Sequence, residues 1–262
     1  IEYQINDRFI FMRFLDLTIA DDIPDSRTVW KFKEQLTDLQ LVEPIFNLFL
    51  KQVESLGMIL NEGKIIDASF VEVPRQRNTK EENKEIKAGN VPDSISKNPH
   101  VKAQKDTEAK WTKKGGVNYY GYKNHVKVDA KSKIITKYTV TTANVHDSQA
   151  LNELLTESDK GQELYADSAY SGEPFKALLE EKEVIDKIHV KGYKSKPLSE
   201  TDFEENRIKS TTRARVEHVF GFMENNMNTM ELKQIGIKRI SAAIGMMNLV
   251  YNMFRSVQLR SI

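Results

Sequence analysis

The segment KIIDASF (residues 64–70) predicts a short buried β-strand that carries an aspartate, Asp67, where the strand approaches the edge of a sheet. A second apolar run, LYADSAY (residues 164–170), reaches Asp167 in the same way. A third acid, Glu217, lies in RARVEHVFG (residues 213–221), which predicts a helix. Acidic residues usually face water, but two strand-end aspartates and a helical glutamate form a set of hard oxygen ligands for divalent cations. Two such cations suit in-line displacement at phosphorus, so we expect a site for phosphoryl transfer.

The residues around these acids predict the rest of an α/β sheet. From 119 to 128 the chain alternates, with tyrosines and valines on one face and Lys123, His125 and Lys127 on the other. A polar turn at 129–132 and a β-branched return strand at 134–142 complete a hairpin. We therefore predict a mixed five-stranded sheet with flanking helices. Its remaining elements are a helix at 144–156, a strand at 163–166, a helix at 173–182, a strand at 184–190, a polar connection at 191–209, and helices at 212–230 and 241–258.

Residues 1–60 predict a small helical domain ahead of the α/β domain at 61–262. Helices are expected at 9–14, 27–39 and 43–56, and Asp25 or Ser26 is placed to cap the second of them. A capped helix pair is either a helix-turn-helix module that binds DNA or a simple packing unit. On the first interpretation, Arg27 and Lys31 are candidate DNA contacts.

Residues 71–115 have three prolines, little apolar periodicity and more basic than acidic residues. They predict either a solvated loop or a flexible basic arm that lies along DNA phosphates. The candidate contacts of this arm are Lys110, Lys113 and Lys114. Trp111 either stacks on an unpaired base or anchors the segment to the core. Outside the arm, Lys123 and His125 are further candidates because they share one face of a predicted strand.

Four segments resemble the DDE transposases of bacterial insertion sequences, especially the insertion-sequence-five-like group. They are IPDSRTVWKF (23–32), YGYKNH (120–125), TANVHDS (142–148) and RVEHVFG (215–221), of which the last is the most specific. The resemblance implies a ribonuclease H-like catalytic core in which Asp67, Asp167 and Glu217 bind two Mg²⁺ ions, with Asp67 bridging them and Mn²⁺ able to substitute. It implies double-stranded DNA as the partner, cleavage at terminal inverted repeats, and joining of the 3′-hydroxyl to target DNA. It also implies a homodimer in the DNA complex.

The segment around Glu217 departs from the pattern of this group at two positions. The group has a Tyr seven residues before the glutamate and a Lys or Arg seven residues after it, where this chain has Ser210 and Glu224. Arg213, four residues before the glutamate, matches and is a candidate DNA contact. Seven residues drift only about 20° around a helix, so Glu224 is expected to project beside Glu217 and to oppose phosphate binding.

Composition restricts the other possibilities. The chain has no cysteine, which excludes a disulfide framework and a cysteine zinc site and fits the bacterial cytoplasm. No apolar run has the length of a membrane span, so we expect no association with a membrane. The resemblance to DDE transposases implies association with the nucleoid. The net charge of +1 neither favours nor excludes DNA binding. Two alternatives to a transposase stay open: a ribonuclease H-like nuclease that does not join strands, and a repurposed DNA-binding protein that does not cut.

Overall fold

The computed structural model describes residues 1–193, 197–227 and 231–260. Within these residues a mixed sheet has six strands: β1 (Lys64–Glu72), β2 (Lys110–Lys114), β3 (Val117–Asp129), β4 (Ile135–Thr142), β5 (Glu163–Tyr165) and β6 (Ile185–Asp186). The helices are α1 (Glu2–Asp7), α2 (Phe9–Phe14), α3 (Ser26–Asp38), α4 (Val42–Ser55), α5 (Lys80–Lys87), α6 (Asp93–Ser96), α7 (Pro99–Lys102), α8 (Leu151–Leu154), α9 (Glu173–Glu181), α10 (Glu200–Arg213), α11 (Arg215–Met227) and α12 (Ile237–Arg260). No helix in the described ranges is both long and apolar enough to span a bilayer.

The strand order is that of a ribonuclease H-like core. β3 pairs antiparallel with β1 along the whole of β1, from Lys64↔Asp129 to Glu72↔Gly121, and β4 pairs antiparallel with β3. β5 runs parallel to β1, and β6 runs parallel to β5. The order across the sheet is therefore β4-β3-β1-β5-β6, with an antiparallel hairpin on one side and the parallel strands on the other.

The sheet has one strand more than predicted, because residues 71–115 are not the irregular segment that we expected. They contain α5, α6, α7 and the additional strand β2. Thr79 and Glu82 form a capping box at the start of α5, and this helix buries one side chain, Ile86. The helices of this segment bury so few apolar residues that their sequence has no helical period.

A second difference is α10, which begins within the polar connection predicted at 191–209. Ser199 and Asp202 form a capping box at its start. No residue of α10 is buried, so it has no apolar stripe by which the sequence could indicate it. The helix ends at Arg213, and a turn at Ala214 separates it from α11. The helix predicted at 212–230 therefore corresponds to α11, with residues 228–230 outside the described ranges, and α10 is an additional helix before it.

Two of the predicted elements on the β5 side of the sheet, a helix and the last strand, are shorter than expected. In place of a helix at 144–156 there is a 3₁₀ turn at Asp147–Ala150 followed by α8. The last strand, β6, is two residues long and does not extend over 184–190. α8 and α9 nevertheless cover one face of the sheet, where Leu151 of α8 is buried with Ile66 of β1. This face carries the smaller of the two apolar cores.

The opposite face of the sheet is covered by α11, α12 and α4. Phe46 of α4 is buried there, and its ring packs edge-on against Tyr138 of β4 at 4.9 Å. Asn248 of α12 exchanges amide hydrogen bonds of 2.9 and 3.1 Å with Asn124 of β3, which fixes the helix on the sheet. Asp25 accepts a backbone hydrogen bond from Thr28 and caps α3, so Asp25 and not Ser26 is the cap of this helix. The division into two domains near residue 60 stays a prediction.

Candidate active site

The sheet register brings two of the predicted acids together. Asp67 lies inside β1 and not at a strand end, because β1 continues to Glu72. β5 pairs in parallel with β1 at Ile65↔Tyr165 and ends at that residue. Asp67 and Asp167 each lie two residues beyond this last pair. Because the strands are parallel, the two aspartates lie side by side, just past the point where the pairing of β1 with β5 stops. Both line one cleft.

Asp167 also has a structural role in the backbone that follows β5. Its Oδ1 accepts a hydrogen bond of 2.8 Å from the Ala169 N–H and caps the 3₁₀ turn Ser168–Tyr170. The cap fixes the direction in which the carboxylate leaves the backbone. A short strand that ends in a capped turn therefore holds Asp167 at the cleft.

Glu217 faces the same cleft from α11. Val216, Val219 and Met223 of this helix are buried, which turns the adjacent helix face outward and leaves the Glu217 side chain 58% exposed. Glu224, two turns further along the helix, lines the cleft as well, which confirms the projection predicted from the seven-residue spacing. The three predicted acids thus come to one cleft from β1, from the end of β5 and from α11.

Arg213, the last residue of α10, lies between two of these acids. Its Nη1 donates to Asp67 Oδ2 at 3.0 Å and lies 3.4 Å from Glu217 Oε1. The other oxygen of Asp67, Oδ1, accepts a hydrogen bond of 2.8 Å from the Ala68 N–H. Arg213 therefore binds two of the three acids. Its predicted contact with DNA stays a prediction.

Burial and like charges raise the pKa of Asp67 from 3.8 to about 6. Burial is the largest cause, because the residue is only 7% exposed and desolvation disfavours the ionised form. The Ala68 N–H and the Arg213 guanidinium lower the pKa, while the charges of Asp167 and Glu217 raise it. The three acids are therefore close enough to interact electrostatically, and a cation in the cleft would relieve their repulsion.

The donor set fits a hard divalent cation, since Asp67, Asp167 and Glu217 offer carboxylate oxygens in one polar cleft. Across residues 1–193, 197–227 and 231–260, no three His, Cys, Asp or Glu side chains are grouped closely enough to hold a metal ion as they stand. Between Asp67 and Glu217 lies the guanidinium of Arg213, which binds both. The assignment of the three acids as metal ligands stays a prediction.

The β2–β3 hairpin brings a second cation to the cleft. Gly115 and Gly116 at its tip both have positive φ, as a type I′ two-residue hairpin turn requires. Lys114, which precedes them, is 54% exposed and lines the cleft. Its Nζ lies 3.6 Å from Asp147, whereas Lys123 binds that carboxylate closely, at 2.6 Å. The charge of Asp147 is thus largely balanced without Lys114.

The other members of the predicted basic arm are held to the fold in different ways. The Trp111 ring packs on Tyr120 at 4.9 Å and lies 5.4 Å from the Arg75 guanidinium, yet it is 50% exposed. This favours the anchoring interpretation of the tryptophan while one side of the ring faces solvent. Lys110 donates to a backbone carbonyl of α5 at 3.0 Å. The segment at 110–114 is therefore a strand attached to the core.

Two of the predicted DNA contacts are wrong, because Lys123 and His125 are buried in β3. Lys123 Nζ donates to Asp147 and to the Val145 carbonyl, both at 2.6 Å. His125 Nε2 lies 2.8 Å from Thr141 Oγ1, and burial is the main reason that the pKa of His125 falls to about 4. The alternation correctly separated the two faces of β3, but the charged face is covered by the segment that follows β4, where Lys123 pairs with Asp147 and Lys127 pairs with Asp159.

Sequence reasoning missed Asp147, which pairs with both Lys114 and Lys123. The available signal was the predicted strand itself: a lysine on a central strand requires a buried acidic partner or a pKa shift. That signal indicates that a partner exists but does not indicate which acid supplies it.

Three other predicted DNA contacts are also exposed to solvent. Lys113 lies on β2, and Arg27 and Lys31 lie on α3. None of the three is among the described residues that line the cleft. Their contact with DNA stays a prediction.

Comparison with known proteins bears on the identity of this fold. Among solved structures, the chain is similar to the piggyBac transposase in a cryo-EM structure of its synaptic complex with hairpin DNA, at a TM-score of 0.45 and 12% identity. The similarity covers 91% of this chain and 56% of that one, so the chain spans little more than half the length of that transposase. At this level of similarity, the fold assignment rests on the strand order and not on the comparison. The model of the transposase DDE domain family matches residues 60–253, which is most of the chain, and does not single out the insertion-sequence-five-like group. The chain therefore belongs to the transposase DDE domain family.

Proposed function

We propose that this protein is a DNA transposase that cleaves DNA at the ends of a mobile element and joins the freed 3′-hydroxyl to target DNA. The observation that carries the proposal is the parallel register of β1 and β5, which sets Asp67 level with Asp167 in a cleft shared with Glu217. In a member of the transposase DDE domain family, three acids so arranged are the expected catalytic residues.

The chemistry assigns a distinct task to these side chains. Asp67, Asp167 and Glu217 would hold two Mg²⁺ ions, or Mn²⁺ in their place, through carboxylate oxygens. When bound, such a pair of ions supplies activation of the attacking oxygen and stabilisation of the leaving oxygen. In cleavage, a water oxygen bonds to phosphorus and loses a proton, while the P–O3′ bond breaks and the 3′-oxygen is protonated. In joining, the oxygen of that 3′-hydroxyl loses its proton and bonds to a target phosphorus, while the target's own P–O3′ bond breaks and its 3′-oxygen is protonated.

Exposed basic residues inside and outside the cleft are assigned to DNA. Lys113 and Lys114 of the β2–β3 hairpin would contact phosphates next to the scissile bond, and the exposed side of Trp111 is available to a base. Arg27 and Lys31 of α3 would contact the terminal inverted repeat. Two copies of the chain would act on the two ends of the element. Contacts of this kind make binding salt-dependent, because each bound phosphate releases counterions.

A strand-transfer assay separates the candidate functions. The substrate is a duplex taken from the DNA that flanks the coding sequence, incubated with the protein and Mg²⁺. A transposase gives cleaved ends and joined products, a nuclease gives cleaved ends alone, and a non-cutting protein gives a DNA complex alone. Asp67→Asn should abolish both products while DNA binding persists. Asp93→Asn is the matched control, because Asp93 is exposed and pairs with Lys97 on the surface. Near-native cleavage by Asp67→Asn contradicts the proposal.

A further inference from the structure

Arg213 is hydrogen-bonded to carboxylate oxygens that a metal ion would need as ligands. Asp67 Oδ2 accepts from Arg213 Nη1 at 3.0 Å, and Asp67 Oδ1 accepts from the Ala68 N–H at 2.8 Å. The same Arg213 nitrogen lies 3.4 Å from Glu217 Oε1. Both oxygens of the buried aspartate are therefore engaged within the protein, and one guanidinium nitrogen is shared by two of the three acids.

A metal ion competes with Arg213 for Asp67. Two cations at one carboxylate oxygen repel each other, and the repulsion is strong in a partly buried site, where water screens charge weakly. A carboxylate whose charge is already balanced by a guanidinium also attracts a second cation less. Metal binding at Asp67 Oδ2 therefore requires the guanidinium to move away.

The environment of Arg213 permits this movement. Its side chain is 24% exposed at the cleft, and the residue lies where α10 gives way to the turn at Ala214. Its Nε is buried and has no hydrogen-bond partner within the described part of the chain, so the guanidinium is not fully satisfied. A guanidinium presents parallel N–H groups that match two phosphate oxygens. A DNA phosphate in the cleft thus offers Arg213 a better-matched partner than the divided contact with Asp67 and Glu217.

We propose that Arg213 exchanges between these carboxylates and a DNA phosphate, so that the cleft binds its metal ions strongly only when DNA is present. This inference rests on the proposed function of the cleft. Without DNA, Arg213 holds Asp67 and Glu217 and weakens metal binding. When DNA is bound, a phosphate binds the Arg213 guanidinium, and Asp67 becomes free to bind a metal ion. Because linkage between two binding sites is reciprocal, the metal ions strengthen DNA binding by the same factor.

Direct measurement of Mn²⁺ binding tests this exchange without relying on activity. The electron paramagnetic resonance signal of free Mn²⁺ is followed as the full chain is added, with and without a short DNA duplex, and the Mn²⁺ bound by the duplex alone is subtracted. Arg213→Gln should raise Mn²⁺ affinity in the absence of DNA by about tenfold, which is in the usual range of coupling between sites. The duplex should then raise the affinity of the wild type by a larger factor than that of the variant. Equal Mn²⁺ affinities of wild type and variant without DNA overturn the proposal.

Three further variants separate the exchange from other effects. Arg213→Lys keeps the positive charge, so a gain in Mn²⁺ affinity as large as that of Arg213→Gln would mean altered packing and would overturn the proposal. Arg207→Gln is the matched control on the same helix, because Arg207 pairs with Glu204 on the surface, and it should bind Mn²⁺ as the wild type does. Asp67→Asn should lose Mn²⁺ binding. If Asp67→Asn binds Mn²⁺ as the wild type does, the proposed metal site is wrong. If Asp67→Asn loses Mn²⁺ binding while Arg213→Gln has the wild-type Mn²⁺ affinity, the metal site stands and only the proposed exchange is wrong.

Discussion

Asp67→Asn is expected to make the metal-free protein more stable at neutral pH while it abolishes catalysis. Burial is the main reason that the pKa of Asp67 rises from 3.8 to about 6, and the charges of Asp167 and Glu217 add to it. One pKa unit corresponds to about 1.4 kcal/mol, so the ionised carboxylate costs the native state about 3 kcal/mol at pH 7. Asparagine keeps the shape without the charge, and the variant should recover most of this free energy of unfolding.

The sign of the effect depends on pH. The pKa of Asp67 in the folded protein lies above the ordinary value of 3.8, so between about pH 4 and pH 6 the native state holds a proton that the unfolded chain has released. Wild-type stability therefore falls as pH rises through this window, and the asparagine variant lacks this contribution. The difference between the two proteins should be close to zero near pH 4 and complete above about pH 7.

Thermal unfolding in EDTA across this pH range measures the difference. In a protein of this size, about 3 kcal/mol corresponds to a rise in Tm of roughly 6–12 °C at pH 7.5. Glu224→Gln is the matched control, because it removes an exposed carboxylate from the same cleft and should change stability by no more than roughly 0.5 kcal/mol. In separate scans without EDTA, Mn²⁺ at concentrations above its Kd for the DNA-free protein should raise the Tm of the wild type and not that of Asp67→Asn, since only the wild type keeps the ligand. A variant that unfolds at or below the wild-type Tm at pH 7.5 would refute the claim that burial destabilises this carboxylate.

Three further predictions concern the rest of the cleft and its DNA contacts. Asp167→Asn and Glu217→Gln should each lower strand cleavage at least about 100-fold, the scale of losing one charge-stabilising group, and a gel assay that finds near-native cleavage excludes that residue as a ligand. Joint replacement of Lys113 and Lys114 by Ala should flatten the slope of log affinity against log salt by up to about 2, and an unchanged slope means that the hairpin does not touch DNA. Glu224→Lys should tighten DNA binding and steepen that slope by about 1, whereas equal affinities and slopes mean that position 224 faces away from bound DNA.

The central sheet was predictable because its strands combine buried apolar runs with clear alternation. The turn between β3 and β4 was indicated by its polar residues, and Asp129 does accept from the Ser132 N–H at 2.8 Å. The helix around Glu217 was indicated by its apolar stripe, of which Val216 and Met223 are fully buried. In each case, burial of one face leaves a period in the sequence.

The elements that were not predicted lack such a period. α10 buries no residue, and α5 buries only Ile86. Both helices begin with a capping box, at Ser199 and at Thr79, which is a local signal that hydrophobic patterning does not detect. These two helices are therefore not indicated by the hydrophobic pattern, although their capping boxes are visible in the sequence.

The acids of the candidate site could be named from the sequence, but their partners could not. The contact of Arg213 with Asp67 joins residues that are 146 positions apart, and it depends on where α10 ends. The position of Lys114 at the cleft depends on a hairpin that was not predicted. Burial of His125 depends on the segment after β4, which packs on the charged face of β3 and supplies Asp147 and Asp159 to its lysines. Each of these facts depends on how separate segments of the chain pack together, which the apolar pattern of one segment does not determine.

The charge balance of the cleft explains why metal ions and DNA should bind together. Among the described residues, its lining has four carboxylates against two cations: Asp67, Asp167, Glu217 and Glu224 against Lys114 and Arg213. A phosphate that approaches this lining alone meets net negative charge, and a metal ion that approaches alone meets a guanidinium on its central ligand. When both are present, the metal charge attracts the phosphate, and the phosphate accepts hydrogen bonds from the Arg213 guanidinium. The metal ion thus offsets the negative charge that repels DNA, and DNA removes the guanidinium that hinders metal binding. Glu224 strengthens this mutual dependence, because its negative charge repels DNA when no metal ion is bound. A lysine at that position would attract DNA even without metal. Glu224→Lys should therefore reduce the factor by which Mn²⁺ strengthens DNA binding, even as it raises the affinity measured in EDTA.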